Sequence, residues 1–423
     1  MPPEPVDLLI EARSVLPIAP VNTVLADHAV AVSAGKIVGL GPVAQMNARF
    51  EPRDRVVRRH HVLLPGFVNA HTRAAMTLLR GLPVRGPRGR WIQDTVYPAE
   101  QRCLSADFVR EGTQLAVAEM LRAGITSFAD MYLFPEEAAR VASAARMRAS
   151  IGLPVADLPN VWADSATAHF ARAEQLWDEY RSDPWVCLYF APQDAAEVSD
   201  ETLHRVRRIA DELDARVAME SPPLRRLHSL GLLRPGFIAI PHSAWDDDEL
   251  ELIRGTGIGV IRCMQADLRL GAVSMVGDSV GTIGGPTAST VVGLGTGEPP
   301  AVGALDILAE ARAAALFSGG AVSSADALLL ATLGGATALG FGADTGSIEL
   351  GKYADLVCVD LGRLADQPTS SIPDCLVFGA TRGQVSDVWT SGRLAVSEGH
   401  LLAFDEDELT ASAQKWMKIG GAA

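Results

Sequence analysis

The 423-residue chain has no surplus of basic residues: 37 Lys and Arg stand against 51 Asp and Glu, a net charge of −14. Nucleic acids and anionic membrane surfaces both ask for a basic face, so neither is an expected partner. Cysteines are few. Cys103, Cys187, Cys263, Cys358 and Cys375 are scattered, odd in number and never spaced as CxxC, which predicts free buried thiols in a reducing cytoplasm. No apolar run reaches the roughly 18 residues a bilayer span needs. The most apolar stretch, 327–342, is broken by Thr and Gly and reads as a buried helix. The opening MPPEPVDLLIEARS has no basic segment leading into an apolar one, so no signal peptide is expected and a cytoplasmic location is. Low-complexity linkers and short internal repeats are also missing.

What is present is the balance of an ordinary globular protein, with 48% hydrophobic and 21% charged residues. One core rarely serves more than about 250–300 residues, so two domains are expected. The first sixty residues read as short strands at 7–10, 29–32 and 37–40, with Ser33-Ala34-Gly35 as a turn. The same texture returns at 354–359, 385–390 and 393–396. Strand-rich ends around a long middle predict that the termini meet in one small β-domain.

The middle has a β-then-α rhythm. Apolar residues at helical spacing over 111–121 stop at Gly124 and give way to the apolar run 125–128. Helix 138–149 leads into strand 151–156. An amphipathic helix over 200–213, capped by Ser199 or Asp200, precedes a strand at 217–219. Segments 237–241, 246–253, 257–263 and 291–295 continue the pattern, which suits a parallel barrel with function where the strands end.

Certain blocks carry a resemblance. LPGFVNAHTRAAMTLLR at 64–80 is similar to the first-strand motif PGxxNxHxH of the amidohydrolase superfamily. The likeness runs in order through GITSFADMY (124–132), APQD (191–194), LGLLRPGFIAIPHS (230–243), TLGGATALGF (332–341) and GSIELGKYADLVCVDL (346–361). It covers nearly the whole chain, and within the superfamily it most resembles methylthioadenosine/S-adenosylhomocysteine deaminases, the TRZ/ATZ group. The resemblance implies a (β/α)₈ TIM-like barrel over 62–344, a composite β-sandwich from 1–61 and 345–423, and a homodimer.

It also implies a zinc or other divalent metal at the barrel mouth, held by two first-strand histidines, two later ones and an Asp that ends the eighth strand. The metal lowers the pKa of a bound water, the Asp takes the proton, and a Glu shuttles protons to the leaving ammonia. Most of these positions differ here. His71 stays, but the second histidine is Arg73, which has no lone pair to give. The HxHE block is replaced by Val217-Ala218-Met219-Glu220, followed by a shortened loop. Glu220 therefore sits either at the lost histidine or at the shuttle Glu. His242 in IPHS is preserved, whereas the eighth-strand GTD reads Gly295-Thr296-Gly297. The family's HCPESNLKL reads RCMQADLRL at 262–270, and a glycine-rich stretch follows at 277–285.

No metal cofactor is therefore expected: a catalytic zinc takes three protein ligands, and two histidines without the base fall short. The candidate pocket residues are His71, Arg73, Glu220 and His242. Arg73 either pairs with Glu220, keeping a positive centre without metal, or turns to solvent. Each histidine is either functional or a hydrogen-bonded core residue. Asp194 or Glu298 supplies a replacement carboxylate or is merely solvated, and Trp91 and Tyr97 read as wall packing. Arg85, Arg88 and Arg90 form a basic loop that either meets an acidic ligand or, the preferred reading, is merely solvated, and Cys263 reads as a structural thiol. Three functions follow: a metal-free protein binding a nucleoside- or heterocycle-type molecule or a partner, a hydrolase with a rebuilt site, or a structural subunit of an active paralogue.

Overall fold

The computed structural model describes residues 2–195, 197–271 and 290–420. Eight parallel strands form the barrel: β5 (Phe67–Thr72), β6 (Ile125–Asp130), β7 (Arg148–Val155), β8 (Val186–Pro192), β9 (Arg216–Glu220), β10 (Phe237–Ile240), β11 (Gly259–Arg262) and β12 (Val291–Leu294). They pair in chain order, and a single bridge, Thr72 to Gly297, joins the first to the segment beyond the last. Small and branched side chains such as Val68, Ala70, Ala129, Ala191, Ala218, Ile238 and Ile261 fill the interior. The opposite strand faces, with Phe67, Phe128, Ile151 and Phe190, pack on the surrounding helices. Both faces being buried explains the near-continuous apolar runs.

Helices begin where a side chain can satisfy free N–H groups. Ser105, Ser165 and Ser199 each accept from the backbone three residues on, and Asp246 forms a capping box with Glu249. The expected buried helix at 327–342 is present as Ser324–Leu329 and Gly335–Leu339, joined by a π-turn over Leu330–Gly334. Among the described residues no helix is long and apolar enough to cross a membrane.

The terminal strands are β1 (Glu4–Val15), β2 (Leu25–Ser33), β3 (Lys36–Pro42), β4 (Phe50–Pro65), β13 (Leu356–Asp360), β14 (Val385–Thr390), β15 (Arg393–Ser397) and β16 (His400–Leu401). They form one mixed sheet in the order β16-β15-β14-β13-β4-β1-β2-β3. Strand β4 unites the two halves, pairing parallel with β1 and antiparallel with β13. One cluster, including Ile10, Val32, Leu356 and Trp389, draws on both ends of the chain. The last helix, Glu406–Gly420, returns to the barrel: Trp416 meets Phe108 edge-on at 5.3 Å and donates to Glu111 at 2.8 Å. The five cysteines are free. The stretch 277–285 lies outside the described residues.

Candidate functional site

The C-terminal ends of the barrel strands bring His71, Arg73, Glu220 and His242 together. A register irregularity in the pairing of β5 with β6 falls between Asn69 and Thr72 and interrupts the strand's regular alternation just where His71 sits. Asn69 and Thr296 bond reciprocally, side-chain amide to hydroxyl at 2.9 Å and backbone N–H to amide oxygen at 3.0 Å, tying β5 to the chain after β12. Gly295 lies so close to His71 that a Cβ there would stand 2.7 Å from its backbone nitrogen. Gly297, at φ +67°, turns its N–H onto the His71 carbonyl at 3.0 Å.

Glu220, the last residue of β9, is the hub. Its Oε2 accepts from Arg73 Nη2 at 2.8 Å and from Arg88 Nη2 at 3.4 Å. Its Oε1 lies 3.0 Å from His71 Nε2, close but out of line for a full hydrogen bond, and His242 Nε2 is 3.8 Å from Oε2. Glu220 thus meets both retained family histidines, a position that suits either the lost histidine or the shuttle Glu. Arg73 takes the paired alternative and does not point freely to solvent.

A second carboxylate completes the cluster. Arg88 grips Glu298 with both terminal nitrogens, Nη1 at 2.8 Å from Oε2 and Nη2 against Oε1. Arg73 Nε is 4.0 Å from the same Oε1. The expectation of a solvated basic loop thus holds for exposed Arg85 and Arg90 but fails for Arg88. Two carboxylates buried at strand ends demand cations, and the short helix Arg88–Trp91 turns this arginine inward to meet them. Glu298, not merely solvated, is 1% exposed. Burial alone would raise its pKa, but Arg88 and Arg73 outweigh that and hold it down at about 2. Burial works against the charged form of Glu220 too, yet Arg73, His71 and Arg88 keep it well below the usual carboxylate range.

Several neighbours were not singled out by sequence reasoning. Asp130 ends β6, accepts the Ala74 N–H at 2.6 Å, and so anchors the turn that starts just after Arg73. Burial pushes its pKa up to about 6 despite that bond and the proximity of His71 and Arg73. Asp267, on the helix Met264–Arg269, lies 3.2 Å from His242 Nδ1 and 3.3 Å from Arg262 Nη2. Asp267 and Arg262 were legible only as departures from the family block, where Asn and His stand. Asp194 is exposed in the loop after β8. Trp91 is buried and donates to the Pro83 carbonyl at 3.0 Å, whereas Tyr97 is half exposed. Burial raises the Cys263 thiol well above its ordinary pKa, in keeping with a structural cysteine.

Behind the cluster, Glu310 is fully buried and accepts from Gln265 N and Nε2 at 3.2 and 3.0 Å. Burial lifts its pKa to about 8, Gln265 only partly opposing. The folded chain thus holds a proton that the unfolded chain releases near pH 4.5. Stability linked to Glu310 is greatest below that pH and declines as pH rises toward about 8. Glu310→Gln, an isostere of the protonated acid, is expected to flatten this decline in urea-melt midpoints between pH 5 and 8. An unchanged slope would mean that Glu310 is not protonated.

A surface cleft of about 510 Å³ between Arg225, His228, Asp248 and Glu251 shares none of the cluster's residues. The barrel mouth, with buried charge at strand ends, is the chemically distinctive place.

The amidohydrolase family profile matches residues 62–221 and 221–395. The chain belongs to the amidohydrolase family. Among similar members, the 5-methylthioadenosine/S-adenosylhomocysteine deaminase of Teredinibacter turnerae is 32% identical over 99% of this chain and 98% of its own. That of Saccharophagus degradans is 32% identical over 97% and 96%. The crystal structure of an adenosine deaminase from Xanthomonas campestris, solved with bound zinc, superposes with a TM-score of 0.94 at 38% identity, covering all of both chains. The zinc-bound atrazine chlorohydrolase TrzN of Arthrobacter aurescens shares the fold at 0.86 and 19% identity, over 97% of this chain and 100% of its own.

A family metal does not fit the residues present. Among the described residues no three His, Cys, Asp or Glu side chains are grouped to hold an ion. More decisively, Glu220 Oε2 is taken by Arg73 and Arg88, whose two permanent positive charges beside the histidines oppose a divalent cation. Position 297, where the family carries its Asp, is glycine.

Proposed function

We propose that this amidohydrolase-family protein binds a nucleoside- or heterocycle-type small molecule at the barrel mouth and does not carry out metal-dependent deamination. The observation that carries this reading is the Arg73–Glu220 pair at 2.8 Å, an ion pair formed by the arginine that stands where the family motif has its second histidine. Arg73, Glu220 and Arg88 remain 21%, 17% and 14% exposed, so the cluster forms a floor that a ligand can reach. The relatives act on adenosine-type molecules by name, which supports that ligand class. In this reading the arginines and carboxylates orient polar groups of the ligand, and the imidazoles offer hydrogen bonds.

The test combines elemental analysis for zinc, iron, manganese and nickel with calorimetry on 5-methylthioadenosine and an ammonia-release assay. The expected outcome is saturable binding, metal far below one per chain and no ammonia. Near-stoichiometric metal would overturn the reading of the site. Ammonia release by metal-stripped protein would favour the second reading, a rebuilt hydrolase. One observation supports that alternative: His242 has gained a carboxylate partner, the arrangement of a general base.

A further inference from the structure

The exchanges at 262 and 267 make sense only together. Where the resembling block carries His and Asn, this chain has Arg262 and Asp267, 1% and 2% exposed, paired at 3.3 Å. The same Asp267 uses its other oxygen toward His242 Nδ1 at 3.2 Å. A carboxylate gripped by a permanently protonated guanidinium offers only acceptors, so the Nδ1 facing it must be the donor. That fixes the tautomer: in the neutral ring the proton sits on Nδ1 and Nε2 presents a lone pair. The His242 side chain is 4% exposed, and Nε2 has no hydrogen-bond partner. It faces Glu220 Oε2 at 3.8 Å, too far for a direct bond. An unpartnered acceptor at this depth is costly unless something donates to it.

We propose that Asp267 is a positioning residue, locking His242 in the Nδ1–H form so that Nε2 accepts a hydrogen bond from an N–H group of the bound heterocycle. Arg262 supports it by holding Asp267 in place. The inference rests on the small-molecule reading above and adds what the site selects for: a ligand with a ring or exocyclic N–H donor.

The first readout needs no ligand. Long-range proton–nitrogen correlation spectra of histidine-labelled protein, with the signal assigned by His242→Gln, report which ring nitrogen carries the proton. The expected wild-type result is Nδ1–H. Asp267→Asn is expected to release the lock and weaken 5-methylthioadenosine binding about tenfold, the loss of roughly one hydrogen bond. Because Asp267→Asn leaves Arg262 unpaired, the double variant Arg262→His/Asp267→Asn, which carries the relatives' residues, serves as the second probe. It is expected to fold, to lose the Nδ1–H signature and to bind as weakly as the single variant. An Nε2–H wild-type ring, or unweakened binding in the double variant, overturns the proposal and leaves the ligand-binding reading standing. No binding of 5-methylthioadenosine to wild-type protein overturns that reading, and the present proposal with it.

Discussion

Replacing Glu220 with alanine is expected to destabilise the protein by about 3–5 kcal/mol, the usual cost of stranding one side of a buried ion pair. Glu220 is the common acceptor of Arg73 and Arg88 and touches both histidines. Removing it leaves Arg73, among the described residues, with the 4.0 Å approach to Glu298 as its ion pair. Water does not fully replace the lost acceptor, because Arg73 is only 21% exposed. The double variant Arg73→Met/Glu220→Met is expected to be much less harmful, since both charges leave and the volume is refilled. Urea titration of the three proteins checks this. A loss near 1 kcal/mol for Glu220→Ala, the scale of a surface pair, would mean that solvent screens the cluster.

The same network sets a pH dependence. Both carboxylates titrate below their ordinary value of 4.5, Glu298 at about 2 and Glu220 well down. The stability they supply is complete above the ordinary value and is lost as pH falls through the acid range toward 2. Glu220→Ala should therefore show a shallower acid limb than wild type as well as a lower plateau.

The second large effect is a gain. The triple variant Arg73→His/Glu220→His/Gly297→Asp is expected to bind close to one zinc per chain, and the wild type far less. The reasoning is positional: His71 and His242 remain, Glu220 lies between them, and Arg73 reaches the same point. Three or four such ligands at one centre suffice for zinc. The position after the eighth strand is the harder exchange, because Gly297 sits at φ +67°, although Asp tolerates that region better than most residues. Arg88 keeps Glu298 as its partner in the variant, so it is not stranded. Elemental analysis after dialysis against chelator and then zinc decides. A folded triple variant as metal-free as wild type would show that Glu220 does not mark the metal position.

The outline of both domains was legible because it depends on local pattern. Apolar runs gave barrel strands β6, β7 and β9 to β12, and helical spacing gave several of the helices between them, whereas β8 (Val186–Pro192) was not read as a strand. Strand β4 was the main omission, since FEPRDRVVRRHH is charge-rich and largely exposed along its first two-thirds. Its identity comes from pairing with β1 and β13, partners from opposite ends of the chain.

At the site, the sequence by itself determined which family residues were gone. Arg73, Glu220 and Gly297 are visible as departures at fixed places in recognisable blocks, and the loss of metal donors follows from the chemistry of their side chains. Only the tertiary structure decided what replaced them. Arg88 reads as one of three loop arginines until the fold sets it against Glu298, 210 positions away. Asp267 becomes a histidine partner only because β10 and the helix after β11 converge at the mouth. Charge pairing acts over a few ångströms, and contacts between residues this far apart in the chain exist only after the barrel has closed. A linear sequence shows that donors and acceptors are present; burial and proximity determine which ones must meet.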